Sequence, residues 1–147
     1  MAKKELNNSK YKFTCLDYNL NHNWSFLNSL TPEEKIKTEF LVNPICNPGC
    51  LQRKEHYRLN SLFSLNYGIP YKLKSCEIDS GSICAMFNHA HISPEDLYTT
   101  YLEQGFHYFK LEGRTWHSSD MAISCADYLI KPEYQTFFIR YVQERLR

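Results

Sequence analysis

Leu41-Val-Asn-Pro-Ile-Cys-Asn-Pro-Gly-Cys-Leu-Gln-Arg-Lys-Glu-His-Tyr57 joins the end of an apolar, strand-like run to the start of a helix-like one. Pro48-Gly49 between Cys46 and Cys50 reads as a tight turn, because proline presets φ and glycine tolerates a positive φ. Such a turn aims both thiols into one small volume. A strand, a turn and a helix in succession are the repeating unit of a parallel α/β sheet, so the neighbouring segments decide the fold.

Upstream, residues 1–10 are polar and predicted to be disordered. Tyr11-Lys-Phe-Thr-Cys-Leu-Asp17 alternates as a strand does. Residues 24–30 carry a short helix-like apolar set. Thr31-Pro-Glu-Glu34 has the residues of a helix start, with Thr at the N-cap, Pro next and Glu at the third position. That start competes with a buried strand over residues 36–42, and the strand is the preferred reading.

Downstream, apolar residues recur at near-helical spacing over residues 50–65. Residues 71–82 read as irregular, and residues 83–87 as a short strand. Ser93-Pro-Glu-Asp96 is a clear helix start, and Gly105 a fitting stop. Residues 106–111 read as a strand. A helix capped by Ser118 or Ser119 and another opened by Pro132-Glu133 complete the chain. Strands alternating with helices predict an α/β fold of parallel βα units in one domain over residues 11–147, about half of an eight-unit barrel.

The chain has 147 residues, ordinary globular composition and a formal net charge of +1. That balance offers no electrostatic argument for nucleic acid or an anionic membrane. No apolar run nears the roughly 20 residues that cross a bilayer. The first residues lack the apolar core of a signal peptide, so a cytoplasmic location is expected. Six cysteines then lie in a reducing compartment, where clustered thiols more often bind metal or do redox chemistry than form disulfides.

Cys46, Cys50, Cys76 and Cys84 are the candidate metal ligands, since thiolates hold both zinc and iron–sulfur centres. A bound metal, free thiols and a disulfide all remain open on spacing alone. Cys15 and Cys125 are read as core residues. Arg53 and His56 share a helix face just beyond the turn and suit an anion or the sulfurs of a cluster. Lys110, Glu112 and Arg114 stand at a strand's carboxyl end, where Arg114 suits bidentate recognition of a phosphate or carboxylate. His89 and His91 are read as solvated, with a metal pair as the alternative.

Leu41-Val-Asn-Pro-Ile-Cys-Asn-Pro-Gly-Cys with Arg53, His56 and Tyr57 resembles a motif of barrel proteins related to the U32 peptidase family. Ile92-Ser-Pro-Glu-Asp-Leu97, Tyr101, Gly105-Phe106 and Phe109-Lys-Leu-Glu-Gly-Arg114 extend the likeness, which spans roughly residues 36–115. The resemblance implies the C-terminal half of a TIM-like barrel, completed by a second copy of the chain or by another polypeptide. It also implies an iron–sulfur cluster on four cysteines, with zinc as the alternative, and a role in RNA or small-molecule modification. The family's Gly-Ser/Ala-x-Cys and Gly-x-Cys-x-x-Ser signature has no counterpart here, so peptidase chemistry is not carried over. A different expectation is a non-catalytic binding or assembly module whose cysteines are structural.

Overall fold

The computed structural model describes residues 2–44, 46, 50–65, 89–113 and 117–145, without the side chains of His56, Asn60, Phe63 and Ser64. The strand expected at residues 83–87, together with Cys76, Cys84 and Arg114, lies outside the described residues.

Among the described residues three parallel strands form one sheet in chain order: β1 (Thr14–Cys15), β2 (Thr38–Leu41) and β3 (Tyr108–Lys110). Thr14 pairs with Thr38, and Phe40 with Phe109. The ladder runs one step further at each junction, because Leu16 N–H donates to Glu39 O (2.9 Å) and Val42 N–H to Lys110 O (3.0 Å). Residues 38, 40 and 42 point to one face of β2 and are all buried, as the period of two requires. On that face Phe40 meets Tyr101 and Phe106 edge-on, with centroids 5.1 and 5.0 Å away, and stacks on Phe109 at 6.0 Å. Truncating a ring so placed costs about 3–5 kcal/mol, so Phe40 is the centre of the core.

The helix start and the strand between residues 31 and 42 do not compete, because each takes part of the segment. Thr31 accepts from Glu34 N–H at 3.3 Å, and the Glu34 carboxylate accepts from Thr31 N–H at 2.9 Å, a complete capping box. It opens a short helix (Pro32–Lys37) that passes into β2 with no loop. Thr38 ends the helix, starts the strand and donates its hydroxyl to Glu34 O at 2.9 Å. Ile36, expected in the strand, is therefore on the helix and 53% exposed.

The amino terminus is also ordered where polar composition predicted disorder. Ala2–Leu6 is helical, and Leu6 is buried in the core. Asn7 fastens this helix by donating to Lys3 O (2.9 Å) and to the Glu34 carboxylate (2.7 Å). One buried leucine and a shared carboxylate thus outweigh a sequence of low hydrophobicity.

Numbered in chain order, the helices are α1 (Ala2–Leu6), α2 (Trp24–Leu27), α3 (Pro32–Lys37), α4 (Arg53–Leu65), α5 (Pro94–Asp96), α6 (Ser118–Leu129) and α7 (Pro132–Arg145). Ser93 caps α5, accepting from Asp96 N–H at 3.0 Å. The helix continues as a π-helical turn, Leu97–Tyr101, which Gly105 ends with φ +89°. α6 begins one residue away from expectation: His117 is its N-cap and makes no side-chain capping bond. No helix among the described residues is long and apolar enough to cross a membrane.

Candidate functional site

In open parallel sheets ligands gather beyond the carboxyl ends of the strands. Here that edge is built by the residues that follow each strand: Asp17 and Tyr18 after β1, Asn43 and Cys46 after β2, Glu112 after β3.

Asn43 fixes the edge. It is buried, and its amide copies a strand backbone beyond the point where pairing stops. Oδ1 accepts from Glu112 N–H at 2.6 Å, and Nδ2 donates to Glu112 O at 2.9 Å. The same Nδ2 lies 3.3 Å from Ser124 Oγ, tying α6 to the junction.

Arg53, the first residue of α4, reaches back to β1. Nη1 and Nη2 donate to the two Asp17 oxygens at 2.9 and 2.7 Å. The guanidinium carbon stands 4.2 Å from the Tyr18 ring centroid and 5.8 Å from that of Tyr57. A planar fork held on both oxygens and covered by two rings is a strongly directed arrangement. The hydrogen bonds from Arg53 hold the Asp17 carboxyl below its ordinary range. Arg53 was expected to offer its charge to an anion or cluster. With its fork already closed on Asp17, it instead positions α4, and so Cys50 three residues earlier, over the edge.

The Tyr18 hydroxyl is the unresolved polar group of this edge. Tyr18 is 3% exposed and its oxygen is buried with no hydrogen-bond partner among the described residues. Burial, first of all, pushes its ionisation well up, so it remains a phenol and a donor. Cys46 is close enough for a thiolate there to act electrostatically on both Tyr18 and Tyr57. Buried hydroxyls without partners are uncommon and call for an explanation.

Cys46 and Cys50 are half-buried. Lys110 does not join them. It is exposed on the sheet face opposite the core, where its charge acts on Cys15, and Cys15 is itself exposed rather than in the core. His56 has its backbone on α4. The residue pattern assigned no site role to Asp17 and Tyr18, and Asn43 and Tyr57 entered only as members of the motif. The available signal was position, since three of these immediately follow the end of a parallel strand.

A second polar network lies nearby, where Ile92 N–H donates to Val42 O at 2.9 Å. Tyr101 donates its hydroxyl to Asn21 O at 2.6 Å and stands 3.2 Å from His22 Nδ1. His22 Nε2 lies 2.9 Å from His91 O, and His91 Nε2 lies 2.8 Å from the Tyr128 hydroxyl. His89 is exposed and takes no part. Among the described residues, no group of three or more His, Cys, Asp or Glu is assembled that could hold a metal ion.

These features define a mixed α/β domain with a small three-stranded parallel sheet and a polar, cysteine-bearing carboxyl edge. No family model, no curated protein and no solved structure matches this chain.

Proposed function

We propose that the carboxyl edge is a cysteine-anchored centre in a half-barrel related to the U32 peptidase proteins, acting in the cytoplasm on RNA or a small molecule. Cys46 and Cys50, with Cys76 and Cys84, would hold an iron–sulfur cluster, or zinc in its place. The observation that carries this reading is the buried Tyr18 hydroxyl, unpartnered among the described residues and within electrostatic reach of Cys46. A phenol donor and a nearby guanidinium suit sulfur ligands that carry negative charge, because such neighbours orient and tune them. The described residues supply two thiols of the four. A bound cluster would supply electron transfer or a Lewis-acidic iron. The chain's own part is to hold the sulfurs, donate from Tyr18 and keep α4 in place through Arg53 and Asp17. A second copy or another polypeptide would complete the barrel.

The test is iron, sulfide and zinc content after anaerobic preparation, with each cysteine replaced by serine in turn. Metal should be lost for Cys46→Ser, Cys50→Ser and Cys76→Ser, and kept for Cys15→Ser and Cys125→Ser. Wild-type protein that carries no metal and cannot be reconstituted overturns the reading. The alternative, a non-catalytic binding or assembly module, draws on apolar side chains left on the surface, Leu129 at 71% and Phe137 at 73% exposed. It predicts an associated species in solution whatever the metal content.

A further inference from the structure

The start of α5 and the elbow between α6 and α7 line a cavity of about 870 Å³, within the range of roughly 300–1,000 Å³ typical of small-molecule sites. Its walls are mostly apolar: Pro94 and Tyr98 on one side, Leu129, Ile130 and Pro132 on the other. Several polar groups at the wall are satisfied by the protein itself. The Tyr98 hydroxyl donates to Tyr128 O at 2.7 Å, and Gln135 Nε2 to Ile130 O at 3.1 Å.

Two polar groups in the wall are different. Asp127 is half-buried and, among the described residues, makes no hydrogen bond and no ion pair. His91 is half-buried beside it, near enough for the two to act on each other electrostatically. The Tyr128 hydroxyl donates to Ile92 O at 2.7 Å, so His91 Nε2 must be the donor in its 2.8 Å contact with that hydroxyl. His91 Nδ1 is then a lone-pair acceptor. Burial pushes the Asp127 carboxyl up and the His91 imidazole down, which keeps the ring neutral and leaves the carboxylate in want of a counter-charge. Both groups accept hydrogen bonds. Glu95 also lines the cavity, as does Lys131, and among the described residues neither is ion-paired.

We propose that this cavity binds a small primary amine with an apolar or aromatic body, its ammonium donating to the Asp127 carboxylate and His91 Nδ1. The body packs against Pro94, Tyr98 and Ile130. The Tyr98 ring adds a face attractive to a cation. This site is separate from the cysteine edge and does not depend on a metal there.

Phenethylamine, phenethyl alcohol and hydrocinnamate share one aromatic body and differ in charge. Their binding to the full chain is measured by titration calorimetry and ligand-observed NMR. The amine should bind about tenfold tighter than the alcohol, the value of one charged hydrogen-bonded contact, and the acid should not bind. Asp127→Asn should remove the amine's advantage and leave the alcohol unchanged. Leu129→Lys, which sets a second cation at an exposed wall position, should weaken the amine by a larger factor than it weakens the alcohol. Equal affinity for the three compounds, no amine binding at millimolar concentration, or an amine affinity untouched by both variants overturns the proposal.

Discussion

Asn43 allows the sharpest test of how the carboxyl edge is held. Its amide makes two hydrogen bonds to the Glu112 backbone, at 2.6 and 2.9 Å, and approaches Ser124 Oγ at 3.3 Å. Asn43→Ala removes all three and leaves the Glu112 N–H and C=O without the amide. Each net bond is worth about 0.5–1.5 kcal/mol, and a buried backbone group left unpaired costs about 1–3 kcal/mol. Glu112 is only half-buried, so water can reach part of the loss. The expected cost is about 2–4 kcal/mol. For a chain of this length that lowers Tm by about 5–15 °C. Asn43→Asp gives a second reading of the same contact. It keeps an acceptor for Glu112 N–H but turns a second oxygen toward Glu112 O, which disfavours the charged form in the folded state. The folded pKa is then raised above the unfolded value of about 3.9. Relative to wild type, this variant should be least impaired below that pH and lose stability as pH rises from it through the higher folded value. Urea unfolding followed by circular dichroism, across pH, measures both. A cost below about 1 kcal/mol for Asn43→Ala, or a pH-independent cost for Asn43→Asp, would refute the argument that this amide extends the β2–β3 ladder.

Tyr18→Phe removes a buried hydroxyl that has no partner among the described residues, so metal-free protein should unfold at equal or higher urea, by up to about 1 kcal/mol. A loss of more than that in the same denaturation curve would show that the hydroxyl is already bonded within the chain. Asp17→Asn should cost less than about 1 kcal/mol at pH 6, because the Asp17 side chain is nearly half exposed and its pair with Arg53 is screened. Since the folded pKa of Asp17 is depressed, its contribution is present above the unfolded value and lost as pH falls through the folded one. The gap between wild type and Asp17→Asn should therefore close in strong acid and shrink in high salt. A gap that persists at pH 2 would count against the ion pair as its source.

The features legible in the chain were those that depend on neighbouring residues. Thr31 with Glu34, Ser93 before Pro94, Gly105 after the π turn and Pro132 at the last helix each act within one helical turn, and all four occur as the residue types dictate. The alternation in residues 11–17, the buried-strand reading of 36–42 and the strand reading of 106–111 placed the three described strands, and the helices between them made parallel pairing the natural outcome. Strand lengths were overestimated, because a residue joins a ladder only where a neighbour is at hand. Only the tertiary structure decided the partners that lie far apart in sequence. Arg53 meets Asp17 across 36 residues, Asn43 meets Glu112 across 69, and Tyr101 meets Asn21 across 80. Periodicity and composition carry no information about such pairs. The same holds for the terminal helix, whose single buried leucine is stabilised only by a pocket formed elsewhere. Thus the sequence alone determined the described elements, whose signals are local. Which side chains meet at the carboxyl edge was decided by the folded chain, because burial and hydrogen-bond pairing belong to the packed arrangement and not to any one segment.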